Sequence, residues 1–251
     1  MRTLAVIPAR LGATRLPRKP LRLLAGLPLV VRVWQRVADM RLVDRCVVAT
    51  DSDEVSSAVA EHGADVVLTR SDHPSGTDRV AETAHRAEFL DFDVVVNVQG
   101  DEPFVAEGAV AGALGLVTSG AFPLATAAAR AAVDILRSPN VVKVVGADDG
   151  RALYFSRAGI PFMQDPADAP LQRERVWQHI GLYAYTRAAL DFWVSLPVHP
   201  LERLERLEQL RPLAAGLRMG VAVIDEVLGP GIDTEEDLIR ANALWMAPTT
   251  G

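Results

Sequence analysis

Residues 93–103 read Asp93-Val94-Val95-Val96-Asn97-Val98-Gln99-Gly100-Asp101-Glu102-Pro103. The first part, residues 93–98, is an almost continuous apolar run, which is typical of a strand that is buried on both faces of a parallel sheet. The residues that follow have the composition of a turn. Open α/β sheets bind ligands at the carboxyl ends of their strands, so this stretch predicts an α/β protein with Asp101 at the ligand-binding edge.

The flanking sequence repeats this pattern of strand followed by helix. Runs of β-branched residues alternate with amphipathic stretches, as expected for βα units on a largely parallel sheet. We predict strands at residues 4–8, 45–50 and 64–68, and helices at residues 29–40, from near Ser52, and at residues 77–89.

The second half of the chain is less regular. Residues 141–145 and 152–156 are predicted to pair around an Asp149-Gly150 turn, which is a strong hairpin signal. Further strands are predicted at 179–185 and 218–224, helices at 201–211 and 234–246, and a Pro/Asp loop at 164–170.

Composition limits the class of protein. A chain of 251 residues fits one large α/β domain, and we expect a single one. No apolar run approaches the roughly 18 residues of a membrane span, and the start does not resemble a signal peptide, so we expect a soluble, cytoplasmic protein without membrane partners. The net charge of −6 argues against nucleic-acid binding, and the one cysteine, Cys46, excludes a disulfide framework.

A cationic loop follows the first predicted strand. Residues 1–38 contain no acidic residue, and the loop holds Arg10, Arg15 and Lys19 between three prolines. Prolines restrict the loop, and guanidinium groups bind phosphate oxygens bidentately. Neither a dinucleotide fingerprint nor a P-loop is present. The loop therefore indicates a phosphate-binding site, with a solvated basic surface as the alternative.

Two aspartates are candidate magnesium ligands, because hard carboxylate oxygens suit Mg²⁺. Asp101 follows the buried strand, although it could be only a turn residue. Asp233 precedes the last predicted helix, where an acid often serves as the N-cap. Thr234 and Asp237 resemble a capping box, which would leave Asp233 available for a ligand.

Three more polar residues are candidates in the second half. On a helix over residues 201–211, Glu208 would fall inside the apolar stripe, where an acid needs a partner: either Arg211 or a substrate. His179 and Tyr183 share one face of a strand. His179 lacks the second histidine of a zinc motif, so a hydrogen bond to a polar ligand or to the core is the better interpretation.

Eight phrases together resemble one family, the 3-deoxy-manno-octulosonate cytidylyltransferases, also called CMP-KDO synthetases. They span nearly the whole chain: IPARLGATRLPRKPL at 7–21, VATDSDEV at 48–55, HPSGTDR at 73–79, VVNVQGDEPF at 95–104, ALYFSRAGIP at 152–161, HIGLYAY at 179–185, PLERLERLEQLR at 200–211 and GPGIDTEEDL at 229–238.

The resemblance implies transfer of CMP from CTP to the anomeric hydroxyl of 3-deoxy-D-manno-octulosonate (KDO), with release of pyrophosphate. It also implies a Rossmann-like nucleotidyltransferase fold, a Mg²⁺ cofactor, a place in lipopolysaccharide biosynthesis, and a homodimer with a dimerisation and sugar-binding region at about 150–215. The catalytic residues it implies are Asp101, Asp233, Lys19, Arg10 and Arg15, with Asp101 and Asp233 as the metal ligands. The nucleotide would be bound by Pro8, Ala9, Arg10, Arg15, Lys19, Ser75, Gly76 and Arg79, and the sugar by Gln99, Arg157, His179, Tyr183 and Glu208.

The chain departs from the family pattern at a few positions. Arg18 and Leu11 replace a glycine and an aromatic residue that are common there, and residues 162–176 match poorly. Because that segment lies between two sugar-pocket motifs, an amino-substituted octulosonate or a sialic-type acid stays open as the acceptor. A sugar-1-phosphate nucleotidyltransferase would have a Gly-rich loop in place of Pro8-Ala9-Arg10. A non-catalytic nucleotide-binding protein would have lost a metal ligand or a loop cation.

Overall fold

The computed structural model describes residues 1–12, 15–226, 229 and 231–246. The chain divides into two compact units, Met1–Ala106 with Leu228–Gly251, and Glu107–Val227. The single domain expected from the sequence stays a prediction. No helix among the described residues is long and apolar enough to cross a membrane.

The strands, in chain order, are β1 Thr3–Ala9, β2 Leu23–Leu24, β3 Leu27–Pro28, β4 Arg45–Thr50, β5 Asp65–Leu68, β6 Val94–Asn97, β7 Leu124–Arg130, β8 Lys143–Gly146, β9 Ala152–Ser156, β10 Trp177–Thr186 and β11 Met219–Ile224. The helices are α1 Leu29–Asp39, α2 Asp53–Ala60, α3 Gly76–Ala84, α4 Glu107–Thr118, α5 Ala169–Arg175, α6 Arg187–Ser195, α7 Pro200–Glu205, α8 Leu210–Ala214 and α9 Glu235–Met246.

The first unit contains four parallel strands in the order β6-β1-β4-β5. Leu4 lies beside Val95 on one side and Arg45 on the other, and the apolar side chains of β1 and β6 are buried except Pro8, which is partly exposed. Because the strands are parallel, their carboxyl ends lie at one edge. The loop after β1, Asp51 after β4 and Asp101 after β6 therefore share that edge. The sequence predicted this position for the loop and for Asp101.

The predicted start of α2 is right for the expected reason. Ser52 caps α2 by accepting a hydrogen bond from the Val55 amide, and Asp53 and Glu54 occupy its first turn. The helix predicted at 77–89 is shorter than expected, because α3 ends at Ala84 and Arg86 has extended backbone angles before the short 3-10 helix Ala87–Phe89.

The second unit contains β7 between a parallel neighbour, β11, and an antiparallel one, β10. Strands β10, β8 and β9 also pair antiparallel, which confirms the predicted hairpin; Gly150, with φ +82°, lies in its turn. The sequence did not predict β7, which reads Leu-Ala-Thr-Ala-Ala-Ala-Arg. Alanine favours a helix, but the full burial of this segment between two strands overrides that preference.

Two predictions for this unit are wrong. The helix expected at 201–211 ends after Glu205, because Arg206 adopts left-handed angles at φ 55°, and α8 begins only at Leu210. Glu208 thus lies in the turn between two short helices, and its predicted place in a helical apolar stripe does not apply. The loop expected at 164–170 contains the 3-10 helix Pro166–Asp168 and the start of α5.

Candidate functional site

Lys19 lies between the two predicted metal ligands. It begins a 3-10 helix that follows Arg18, whose backbone is left-handed. Its Nζ lies 2.5 Å from Oδ2 of Asp101 and 2.7 Å from Oδ1 of Asp233. The Lys19 side chain is only 12% exposed, so three residues that are far apart in the sequence meet in one partly buried cluster.

The charge of this lysine is well supported. Burial alone would lower the pKa of Lys19, but the adjacent carboxylates of Asp101 and Asp233 together raise it by more, so the net pKa lies above its ordinary value. Lys19 is therefore a cation that forms an ion pair with each of the two carboxylates.

The backbone brings Asp101 to this position. Gly100, the preceding residue, lies where the main chain passes close to the end of β1. A Cβ atom at this position would be 2.8 Å from the carbonyl oxygen of Pro8. The Ile232 amide then donates to the carbonyl of Asp101 at 3.0 Å. Main-chain contacts thus fix the loop of Asp101 against the two segments that contribute the other site residues.

Asp233 is free of the capping role, as the sequence indicated. Thr234 Oγ1 accepts from the amide of Asp237, whose carboxylate accepts from the Thr234 amide and hydroxyl and from the Asp233 amide. The Asp233 carboxylate instead contacts Lys19 and, at 2.9 Å, Nη2 of Arg15.

The donor set fits a divalent cation. Two carboxylates converge on one point that a positive ammonium group occupies, and their oxygens are the ligands that Mg²⁺ prefers. In the part of the chain that the structure describes, no group of three His, Cys, Asp or Glu side chains could hold a metal. Magnesium at Asp101 and Asp233 stays a prediction.

Glu102 is a site residue that the sequence reasoning missed. Burial raises the pKa of its carboxyl to about 8, and the neighbouring charges of Asp101 and Asp233 act in the same direction, although Lys19 opposes them. Its Oε1 lies close to Gly231, where a Cβ atom would come within 2.8 Å. Glu102 is therefore predominantly protonated at neutral pH. Its adjacency to Asp101 was the one available sequence signal.

The residues predicted to surround the nucleotide partly meet. Ser75 caps α3 by accepting from the Asp78 amide, and it donates to the Asp78 carboxylate at 2.6 Å. At Gly76, a Cβ atom would lie 3.4 Å from the Pro8 ring and 4.0 Å from Oε1 of Gln99. Pro8, Gly76 and Gln99 therefore lie together at the strand edge, next to the buried Ala9.

Arg79 and the loop arginines differ in their surroundings. Arg79 is buried, with Nη2 3.2 Å from Oδ2 of Asp51 and Nη1 on the Thr69 hydroxyl, so its guanidinium has internal partners. Arg10 and Arg15 are exposed. Residues 13–14 of their loop lie outside the described residues.

In the second unit, His179, Tyr183 and Glu208 form a second group. The His179 ring lies edge-on to Phe155, with centroids 4.9 Å apart, and 5.7 Å from the Tyr183 ring. Burial lowers the pKa of His179 to about 3. It also raises the pKa of Tyr183 well above its ordinary value, with smaller contributions from the charges of Tyr185 and Glu208. Both rings are neutral at physiological pH.

The hydrogen-bond pattern assigns the His179 tautomer. The Thr126 hydroxyl donates to the carbonyl oxygen of Leu182 on β10 at 2.7 Å. The same hydroxyl oxygen lies 2.9 Å from Nε2 of His179. Its one proton is used, so His179 Nε2 is the donor to Thr126. His179 is thus a core partner on this side, which is one of the two interpretations left open by the sequence.

Arg157 follows β9 and is held by backbone. Its Nε donates to the carbonyl of Glu205 at 2.8 Å and its Nη1 to the carbonyl of Pro139 at 3.1 Å. Arg211, the partner considered for Glu208, forms a bidentate ion pair with Glu202, at 2.6 and 2.8 Å. Gln99 belongs to the first unit, so the five predicted sugar residues are divided between the two units.

Comparison with known proteins gives a consistent result along the whole chain. A family model described as Cytidylyltransferase matches residues 4–219. A protein of Gemmatimonas aurantiaca named 3-deoxy-manno-octulosonate cytidylyltransferase is 64% identical, over 98% of this chain and 95% of that protein. One of the same name from Leptothrix cholodnii is 47% identical, over 94% and 88%.

Solved structures agree. A CMP:2-keto-3-deoxy-manno-octonic acid synthetase complexed with CTP matches with a TM-score of 0.89 and 36% identity, covering 98% of both chains. A 4-diphosphocytidyl-2C-methyl-D-erythritol synthase from Anaerococcus prevotii, 14% identical with a TM-score of 0.63 and covering 98% and 99%, shares the fold. The predicted α/β, Rossmann-like nucleotidyltransferase fold, with its mainly parallel mixed sheet flanked by helices, is confirmed.

Proposed function

The chain belongs to the 3-deoxy-manno-octulosonate cytidylyltransferase family, and we propose that it transfers CMP from CTP to the anomeric hydroxyl of 3-deoxy-D-manno-octulosonate. Pyrophosphate is the second product. The observation that carries this proposal is the convergence of Asp101 and Asp233 on the partly buried ammonium of Lys19, beside the arginine loop.

Charge repulsion is the main obstacle to the reaction. Both the sugar acid and the triphosphate are anions, so their approach is unfavourable until the phosphate charge is neutralised. Lys19, Arg10 and Arg15 supply that positive charge, and the arginine forks also orient the phosphate oxygens. Electrostatic stabilisation of this kind is usually the largest contribution to such catalysis.

Asp101 and Asp233 are proposed to bind Mg²⁺. A magnesium ion held there would polarise the α-phosphate and lower the pKa of the attacking hydroxyl. The chain's own contribution is to hold the two carboxylates in place, which the Ile232 amide and the Thr234–Asp237 capping box do.

The remaining predicted residues have binding roles in this proposal. The cytidine would be surrounded by Pro8, Ala9, Ser75 and Gly76. Arg79 would also contribute to this nucleotide site, because its ion pair with Asp51 holds it at the same strand edge. Arg157 would bind the sugar carboxylate. The hydroxyl and carbonyl oxygens of the sugar suit the polar groups of Gln99, His179, Tyr183 and Glu208.

The physiological setting is part of the proposal and follows from the family resemblance. We expect a homodimer in the cytoplasm that supplies the activated sugar for lipopolysaccharide biosynthesis. The dimer contact is expected from the region at about 150–215.

A pyrophosphate-release assay tests the reaction. Purified protein is incubated with CTP and Mg²⁺, and with KDO, an amino-substituted octulosonate or a sialic-type nine-carbon acid in separate arms. We expect release with KDO, and none without a sugar or with UTP at the same concentration. If folded protein releases no pyrophosphate with any 3-deoxy sugar acid, the proposed function is wrong; preference for another acid would change only the acceptor.

A further inference from the structure

Lys143 is a buried cation that the proposed function does not use. The sequence contains two lysines, Lys19 in the site and Lys143 on β8. Lys143 is completely buried. Its Nζ donates to three backbone carbonyls, those of Ser138 at 2.9 Å, Val141 at 2.7 Å and Arg157 at 2.5 Å. An ammonium group has three donors in a tetrahedral arrangement, so these three acceptors satisfy it fully.

This arrangement is electrostatically unfavourable. Burial lowers the pKa of Lys143, and the adjacent charge of Arg157 lowers it further, with Glu205 opposing both. The two buried arginines among the described residues pair with carboxylates, Arg79 with Asp51 and Arg211 with Glu202. A cation that is buried beside a second cation costs stability and calls for an explanation beyond packing.

Arg157 is fixed at four points. Its amide donates to Oε2 of Glu205 at 2.9 Å, and its carbonyl accepts from Lys143. Its guanidinium donates to the carbonyls of Glu205 and Pro139. Both guanidinium partners found among the described residues are neutral carbonyls, so the positive charge of Arg157 is oriented without being neutralised by an ion pair.

Lys143 contacts both the main chain of Arg157 and the segment that contains Pro139. It bonds directly to the Arg157 carbonyl, and it also bonds to Ser138 and Val141, which flank Pro139. It therefore sets the main chain of Arg157 and, at the same time, the carbonyl that orients the Arg157 guanidinium.

We propose that Lys143 is a positioning residue that holds the Arg157 guanidinium for the carboxylate of the sugar acid, and that it thereby determines selectivity for acidic sugars. This inference rests on the proposed function. Lysine suits the task because a planar guanidinium does not match three carbonyls around one nitrogen.

The test is the Lys143→Met variant, which keeps the apolar stem and removes the ammonium. We expect KM for the sugar acid to rise about tenfold, which corresponds to the loss of one well-aligned charged hydrogen bond. KM for CTP should stay unchanged within about twofold. The matched control is Val144→Ala, which creates a cavity at the next, equally buried position of β8. It should lower thermal stability and leave KM for the sugar acid unchanged.

A double-mutant cycle with Arg157→Met separates positioning from a structural role. If Lys143 acts through Arg157, the Lys143→Met change adds no further rise in KM once Arg157 is replaced. Additive effects, or an equal rise in KM for Val144→Ala, would overturn the inference.

A second variant covers the case in which Lys143→Met does not fold. Lys143→Gln keeps an amide donor for one of the three carbonyls and should give a smaller rise in KM for the sugar acid alone; an unchanged KM overturns the inference. Wild-type protein that releases no pyrophosphate contradicts the proposed function, whereas active wild type with a variant of unchanged kinetics contradicts only the role of Lys143.

Discussion

The amide of Ile232 donates a hydrogen bond to the carbonyl oxygen of Asp101 across 3.0 Å. The loop after β6 and the loop before α9 are therefore joined by main chain, independently of the side chains of Asp101 and Asp233. Removing either carboxylate charge should leave this connection intact, which makes the two aspartates suitable for isosteric substitution.

Asp101→Asn and Asp233→Asn should each lower kcat at least about a hundredfold, because each removes one of two anionic ligands for the proposed metal. Circular dichroism should show an unchanged fold. Steady-state kinetics over a range of Mg²⁺ concentrations provides the measurement. Turnover near that of the wild type in either variant would remove that residue from the metal site.

Lys19→Met should bind Mn²⁺ more tightly than wild type in the absence of nucleotide. The Lys19 ammonium contacts both carboxylates, so a metal ion must compete with it, and its removal leaves two anionic groups without that cation. We expect an affinity gain of about tenfold by electron paramagnetic resonance titration, together with a loss of turnover because the triphosphate loses a cation.

The matched control for this experiment is Arg22→Met. Arg22 forms its ion pair with Glu235 and not with either aspartate, so its replacement should leave Mn²⁺ affinity unchanged. An equal or weaker Mn²⁺ affinity in Lys19→Met would show that the lysine does not compete for the metal position.

Local sequence patterns predicted those features that are determined locally. Apolar runs identified β1, β4 and β6, and the Thr234–Asp237 spacing identified the cap that leaves Asp233 available. These features depend on burial and on hydrogen bonds within one turn, which the composition of a short segment encodes.

Features that arise from contacts between distant segments were missed. The alanine-rich β7 is a strand only because it lies between β10 and β11. The leucine spacing of residues 201–210 suggested one helix, but Arg206 turns the chain so that Arg211 reaches Glu202. The burial of Glu102 depends on the approach of Gly231. No periodicity in the sequence encodes any of these contacts.

Gly100→Ala should destabilise the first unit and impair catalysis, because the new Cβ would lie 2.8 Å from the carbonyl oxygen of Pro8, which is a backbone atom with little freedom to move. Overpacking of this kind costs about 1–3 kcal/mol. Chemical denaturation measures the loss. Gly115→Ala is the control, since no atom lies within 4 Å of that Cβ on α4; it should raise stability by about 0.5–1 kcal/mol. Equal effects of the two substitutions would contradict the close approach.

Glu202→Gln should lower the free energy of unfolding by about 3 kcal/mol, because it leaves Arg211 buried without its bidentate carboxylate. Asp65→Asn removes the half-exposed partner of Arg45 and should cost less than about 1 kcal/mol. Denaturant titration of both variants gives the comparison. A loss at Glu202 no larger than that at Asp65 would show that this ion pair does not hold α7 against α8.

The final prediction concerns pH. Burial holds the pKa of His179 at about 3 in the folded protein, below the ordinary value of 6.5. Between these values the unfolded chain binds a proton that the folded chain does not. The free energy of unfolding must therefore fall as pH decreases from about 6.5 towards 3, and this contribution is constant above about pH 7.

His179→Gln retains an amide donor for the Thr126 hydroxyl but cannot titrate, so its melting temperature should fall less than that of wild type between pH 7 and pH 5. The control is His62→Gln, at an exposed histidine of the first unit, which should keep the wild-type pH dependence. Thermal unfolding at several pH values provides the measurement. If the melting temperature depends on pH in the same way in both variants, His179 must become protonated in the folded protein. The assignment of His179 as a neutral donor to Thr126 would then be wrong.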